Sequence, residues 1–224
     1  MRGSSLSRTN EAQPVIVVFI IQEGVRTVDR AYTQPLRDVG PVAAEPVSGT
    51  YHDLAGWTGI AMDSPPCQVA GLANPRFPIY LDAYDVEAQR KAYDVFAQAT
   101  HDNAEFANSL FMFEAYSTQG VGQVPDASTA FAYRGDRLLT APLITYEPAG
   151  AERDKKAAAL GQRLRSILHE ASGRRDMHAY VNYAYGDETP QQWYGSAKWR
   201  QDKLRGLKAK YDPEGRFSFY APLA

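Results

Sequence analysis

Glu114 and Tyr116 stand two residues apart in an apolar stretch, so on a strand both side chains project to one face. A carboxylate beside a phenol there can orient a polar substrate or tune the phenol's ionisation; a solvated strand face is the equally open alternative. Tyr180-Val181-Asn182-Tyr183 has the same period. On a strand, Tyr183 shares a face with Val181 and Tyr180 with Asn182, so one face can meet a ligand while the other locks the segment. A packed aromatic edge strand fits the same residues. Tyrosine is abundant, with 14 residues against 9 Phe and 3 Trp, and its apolar body with a polar tip suits pockets and interfaces. A tyrosine serves as a base only if positive charge or hydrogen bonds lower its ionisation from about 10.

Other chemistries fail on spacing. Gly120-Val121-Gly122 starts like a dinucleotide fingerprint, but Pro125 occupies the third glycine position and no helical pattern follows. No GxxxxGK[ST] loop and no G-x-S-x-G elbow occur. His52, His101, His169 and His178 lack metal-ligand spacing, which predicts no metal site. Cys67, the single cysteine, excludes an internal disulfide and follows Pro65-Pro66 with nothing to lower its pKa.

The chain of 224 residues is long enough to bury about 70% of the surface its unfolded form exposes. With 24 Lys and Arg against 26 Asp and Glu, it has no basic excess for nucleic acid. The apolar run at 15–21 is far short of a bilayer span of about 20 residues. It lacks a small-residue cleavage site, so neither a membrane nor a signal peptide is expected and the compartment stays open.

These residues need elements to position them. Residues 1–13 are polar and expected to be disordered. The β-branched run 15–21 predicts a buried strand, 27–39 a helix stopped by Gly40-Pro41, 41–46 a short strand and 51–57 a short helix. Residues 62–78, with four prolines, predict a loop. Strands are predicted at 77–84, 108–117, 129–134, 138–147 and 178–182. Asp85 is placed as the N-cap of a helix, 151–171 is the strongest helix with Leu160, Leu164, Ile167 and Leu168 as its buried stripe, and a basic helix is predicted over 196–211. The order predicts an α+β fold, one antiparallel sheet covered by helices on one face, with a C-terminal strand–turn–helix extension.

The last 45 residues combine Tyr180-Val181-Asn182-Tyr183, Trp193-Tyr194-Gly195, a helix, and Tyr211-Asp212-Pro213-Glu214-Gly215-Arg216-Phe217. This combination resembles the C-terminal segment of the berberine bridge enzyme-like flavoproteins, within the vanillyl-alcohol oxidase superfamily of FAD-linked oxidases. Phe113-Glu114-Ala115-Tyr116-Ser117, Val124-Pro125-Asp126 and Thr129-Ala130-Phe131-Ala132-Tyr133-Arg134 resemble central strands of that family's substrate domain. The L-x-x-x-G-P-V of residues 36–42 is similar to its first helix and turn. Tyr133 departs from the pattern, standing where many members carry His or Trp.

The resemblance implies a substrate-binding domain over 14–175 and a berberine-like segment over 176–224. It implies FAD as cofactor, a small-molecule alcohol, sugar or secondary metabolite as substrate, and hydride transfer to flavin with electrons passed to oxygen. It assigns Tyr183 as the base, Tyr180 and Asn182 to the flavin, and Glu114, Tyr116, Tyr146 and Glu147 to the substrate. The family's FAD-binding domain, with its glycine-rich loop and flavin-linking residues, has no counterpart here. The implied partner is therefore that domain, in cis or in trans, and the chain alone is expected to be inactive. The basic final helix then reads as a docking surface. The rival reading is a non-enzymatic small-molecule-binding or scaffold protein on the same fold.

Overall fold

The computed structural model describes residues 14–68 and 71–223. The disorder expected over 1–13 lies outside them. The chain divides into two compact units, Pro14–Gly71 and a larger one from Leu72 onward.

The smaller unit is built from short helices. α1, Arg30–Asp38, is capped by Asp29, whose carboxylate accepts from the Ala31 amide at 2.8 Å. Tyr51–Asp53 forms a 3-10 turn that leads directly into α2, Leu54–Trp57, matching the short helix expected there. A further helical turn, α3, spans Pro65–Gln68 inside the expected loop. The strands expected at 15–21 and 41–46 are absent from the structure. The β-branched run lies exposed, with Ile16 80% accessible. β-propensity does not make a strand without a neighbour to take its backbone N–H and C=O groups, and no described segment pairs with this one.

In the larger unit, β1 (Ile79–Leu81), β2 (Leu110–Glu114) and β3 (Leu138–Leu143) make an antiparallel sheet in the order β1-β3-β2. Its helix-side face buries Phe77, Ile79, Leu81, Leu138 and Ile144 against α4 (Val86–Asp102) and α6 (Ala151–Ala171). Asp85 caps α4 as expected, accepting from the Ala88 amide at 2.8 Å. α6 spans the predicted residues and buries Leu164, Ile167 and Leu168; Gly161 lies on the same face beneath the Phe77 ring. Each such fully buried aliphatic or aromatic side chain stabilises by about 1.5–3 kcal/mol. The mixed α+β class and the one-sided helix layer are as the sequence predicts.

Two further predicted strands, in the larger unit, are absent. Residues 129–134 are irregular, and the Tyr133 hydroxyl donates instead to the Gln192 carbonyl at 2.6 Å. Residues 178–182 make one backbone bond on each side, Tyr80 N to His178 O and Ala179 N to Gln192 O, both 2.8 Å. They then curl into a 3-10 turn, Val181–Tyr183. The C-terminal extension is thus turn and helix without a strand. A five-residue helix, α5 (Gln119–Gln123), replaces part of an expected loop. It is followed later in the chain by α7 (Pro190–Tyr194) and the basic helix α8 (Lys198–Tyr211). Much of the charge on α8 is neutralised: Lys198 and Arg205 pair with Asp202, Lys208 with Asp212, and the buried Arg200 with Asp126.

Candidate active site

The register of the sheet sets the site. Tyr80 and Glu114 both pair with Leu139, so the three form one row on the face away from the helices. Arg76 bridges Leu143 on the same face. Across this row lies the Val181–Tyr183 turn, clamped by the Tyr220 hydroxyl donating to the Val181 carbonyl at 2.7 Å.

The turn delivers the Tyr183 hydroxyl to Glu114 Oε1 at 3.1 Å, while the Tyr116 hydroxyl donates to Oε2 of the same carboxylate at 3.0 Å. Glu114 thus accepts a hydrogen bond from each of two phenols. Tyr183 and Tyr180, three residues apart on a 3-10 turn, meet edge-on with centroids 5.1 Å apart. The expected alternation, Tyr180 with Asn182 opposite Tyr183, does not hold, because a period of three has replaced a period of two. Asn182 still bonds Tyr180, its amide donating to the hydroxyl at 2.8 Å. The Arg76 guanidinium lies 4.5 Å from the Tyr183 ring centroid.

Burial pushes the Tyr183 phenol up to about 12, helped by the Glu114 charge and hydrogen bond and opposed by Arg76. The Tyr116 phenol is raised by partial burial and then by Glu114. A tyrosine base needs a lowered phenol, whereas the Tyr183 phenol is raised and donates to a carboxylate.

The aromatic surface continues from Tyr180 to Tyr80 at 5.9 Å, and from Tyr80 to Phe131 at 6.1 Å and Tyr133 at 5.8 Å. Tyr133 stacks on His178 at 4.1 Å. Behind that ring pair, Asp136 accepts from Arg174 at 2.6 Å and contacts His178 Nδ1 at 2.8 Å. A cavity of about 370 Å³ opens here, lined by Tyr133, His178, Asp126 and Arg200. Glu114 and Tyr183 do not line it.

Two predicted site residues fall elsewhere. Tyr146 is 6% exposed in the helix-side core, where its hydroxyl donates to Asp154 at 2.8 Å and its ring meets Phe106 edge-on. Burial first, and then Asp154, hold its phenol up at about 12. Glu147 is exposed, and its carbonyl accepts from Arg153. Tyr146 bridges Ala73 and keeps the parity of Leu138 and Ile144, so alternation from Leu139 turns it to the helix side, away from the Glu114 row. Arg76, Tyr80 and the Tyr133–His178 pair were not anticipated. Pro75-Arg76-Phe77-Pro78 looks like loop, although two-residue periodicity backward from Tyr80 would put Arg76 on its face.

An isoalloxazine is a flat aromatic body with a polar edge, and the aromatic row with the Asn182 amide at one end fits such a ring. Among the described residues there is no glycine-rich loop at a helix N-terminus for its pyrophosphate. No group of three or more His, Cys, Asp or Glu among the described residues is placed to hold a metal ion, and no described helix is long and apolar enough to cross a membrane.

The family profile "Berberine and berberine like" matches residues 179–222. FAD-linked oxidoreductase chyH of Penicillium rubens is 56% identical over 94% of this chain and 42% of its own length. FAD-linked oxidoreductase chry5 of Gibberella zeae is 48% identical over the same shares. A solved structure of a berberine bridge enzyme variant, titled a reticuline dehydrogenase, superposes with a TM-score of 0.61 over 87% of this chain and 42% of that one, at 11% identity, a likeness of fold alone. The chain spans about two-fifths of the length of the relatives it matches. Over that span, the chain is similar to FAD-linked oxidoreductases, and residues 179–222 carry a berberine-like segment.

Proposed function

We propose that this chain is the substrate-facing part of an FAD-linked oxidase, and that Tyr183 and Glu114 together accept the proton lost by the substrate. The observation that carries the reading is the Tyr183 hydroxyl donating to Glu114 Oε1 at 3.1 Å. A phenol held near 12 is a poor base by itself, but it can take a proton at oxygen while giving its own to a carboxylate. The proton leaves the substrate hydroxyl or amine for Tyr183 Oη, and the original phenolic proton moves to Glu114. FAD, when bound, supplies the acceptor for the substrate's hydride. Tyr116, on the other carboxylate oxygen, fixes the orientation of Glu114.

Tyr180 and Asn182 are the residues of this chain proposed to meet the flavin ring. Tyr80 and Phe131 offer stacking surface for an aromatic or sugar ring beside the dyad. The substrate class is an alcohol, sugar or secondary metabolite. Residues 14–175 are the proposed substrate domain and 176–224 the berberine-like segment. The pyrophosphate end of FAD is assigned to a domain supplied in cis or trans, so the isolated chain neither retains FAD nor turns over.

Two measurements test this. The purified 224-residue chain, given excess FAD and then freed of unbound cofactor, is expected to show no flavin band; a retained band would overturn the need for a partner domain. In the full-length flavoprotein, Tyr183→Phe is expected to slow substrate-driven flavin bleaching by about 10²–10⁴-fold. An unchanged rate would remove Tyr183 from the chemistry.

A further inference from the structure

Tyr183 is surrounded by groups that oppose its ionisation, with one exception. Glu114 bonds its hydroxyl, Tyr116 shares that carboxylate, and Tyr180 meets its ring from the same turn. Tyr80 faces it from β1. Each of these is negative or becomes so on losing a proton. The exception is Arg76, whose guanidinium carbon lies 4.5 Å from the ring centroid.

Arg76 is well placed to act on that ring and on little else. Its backbone is fixed by the bridge to Leu143, and the next residue, Phe77, donates from its amide to Pro142 at 3.0 Å and is fully buried. Among the described residues Arg76 makes no ion pair, so its charge is not spent on a carboxylate. The other phenol within its field is Tyr220, which clamps the turn.

We infer that Arg76 is a positioning residue for Tyr183: its guanidinium, stacked on the ring, steadies the negative charge that the phenol carries while its proton passes to Glu114. The interaction is weak with a neutral ring and stronger with a phenolate, so it favours the charged state over the resting one. Without it, the negative charge that passes to Tyr183 as Glu114 takes the proton would have no positive side chain of this site beside it. The inference rests on Tyr183 handling the proton, but its test does not depend on turnover.

The experiment places 3,5-difluorotyrosine at position 183 of the 224-residue chain, so that the phenol titrates in an accessible pH range and reports by fluorine NMR. Arg76→Met, which keeps an apolar stem, is expected to raise the titration midpoint by about one pH unit. Arg76→Lys, which keeps the charge, should restore at least half of that difference. Arg76→Gln serves as the second neutral variant should the Met form lose its circular dichroism signal. Glu114→Gln, which lowers the midpoint, confirms that the probe reads nearby charge. A midpoint unmoved in the folded neutral variants overturns the inference, and so does a Lys form that behaves as the Met form does. A shifted midpoint combined with full turnover of Tyr183→Phe in the flavoprotein would sink the proposed function while leaving Arg76's hold on Tyr183 in place.

Discussion

The Tyr183 hydroxyl and Glu114 Oε1 meet at 3.1 Å across 69 positions of sequence, joining a 3-10 turn near the end of the chain to the last residue of an edge strand. The bond sets the resting proton on Tyr183 and a negative charge next to it. Glu114→Gln removes that charge and replaces one of its two acceptor oxygens with a donor amide. Tyr183 and Tyr116 should both ionise at lower pH than in the parent chain, since Glu114 pushes both phenols up. Under the proposed function, the same variant, with FAD held by the partner domain, should lose about 10²-fold or more in substrate-driven reduction. Ultraviolet titration of tyrosinate and stopped-flow flavin absorbance read the two effects.

Gly161 supports the Phe77 ring by having no side chain. A Cβ at 161 would lie inside van der Waals contact of three ring atoms of Phe77, and neither partner has room, since Phe77 is fully buried. Alanine favours a helix over glycine by about 1 kcal/mol, whereas overpacking costs about 1–3 kcal/mol. The ring contact wins: Gly161→Ala should lower stability by about 1–2 kcal/mol in a urea melt. A stabilised variant would contradict the packing.

Asp136 ties the Tyr133–His178 stack to the sheet. Burial alone would raise its carboxyl, but hydrogen bonds from His178 and Arg174 outweigh this and hold it below the ordinary range. A carboxyl depressed in the folded state contributes stability above its unfolded pKa of about 4, and loses it as pH falls through the folded value. Stability should therefore decline below about pH 4. Asp136→Asn should flatten that acid limb while lowering stability at pH 7 by about 1–3 kcal/mol, because Arg174 keeps only the exposed Asp82 as an ionic partner. Denaturation melts from pH 3 to 7 give both quantities.

The carboxylate of Asp85 satisfies the Ala88 amide in the first turn of α4. Asp85→Ala should cost about 1 kcal/mol, and Asp85→Ser should recover most of it. Equal melts for all three would show that the cap contributes nothing.

Local order was legible wherever one short stretch holds its own cause. Asp85 next to a helical pattern is a cap wherever the helix packs, and 151–171 carries a complete apolar stripe, so both were readable from the chain. Glu114 and Tyr116 were placed together by a spacing of two, and the bond between them lies within one segment. Likeness to a flavoprotein family was readable too, because turn motifs such as Tyr211-Asp212-Pro213 are contiguous. Strands were another matter. The run at 15–21 and the residues 129–134 and 178–182 have the side chains of strands, but a strand exists only where a neighbour's backbone completes it. The loss of the strand at 178–182 changed a period of two into a period of three, which put Tyr180 and Tyr183 edge to edge. Register put Leu139 in the Glu114 row, which leaves Tyr146, of opposite parity, in the core rather than at the site. Arg76 came to Tyr183 through sheet register, a relation between distant segments that no local pattern encodes. Residue types and local spacing thus determined the elements and the candidate groups, and long-range backbone pairing decided which of those groups meet.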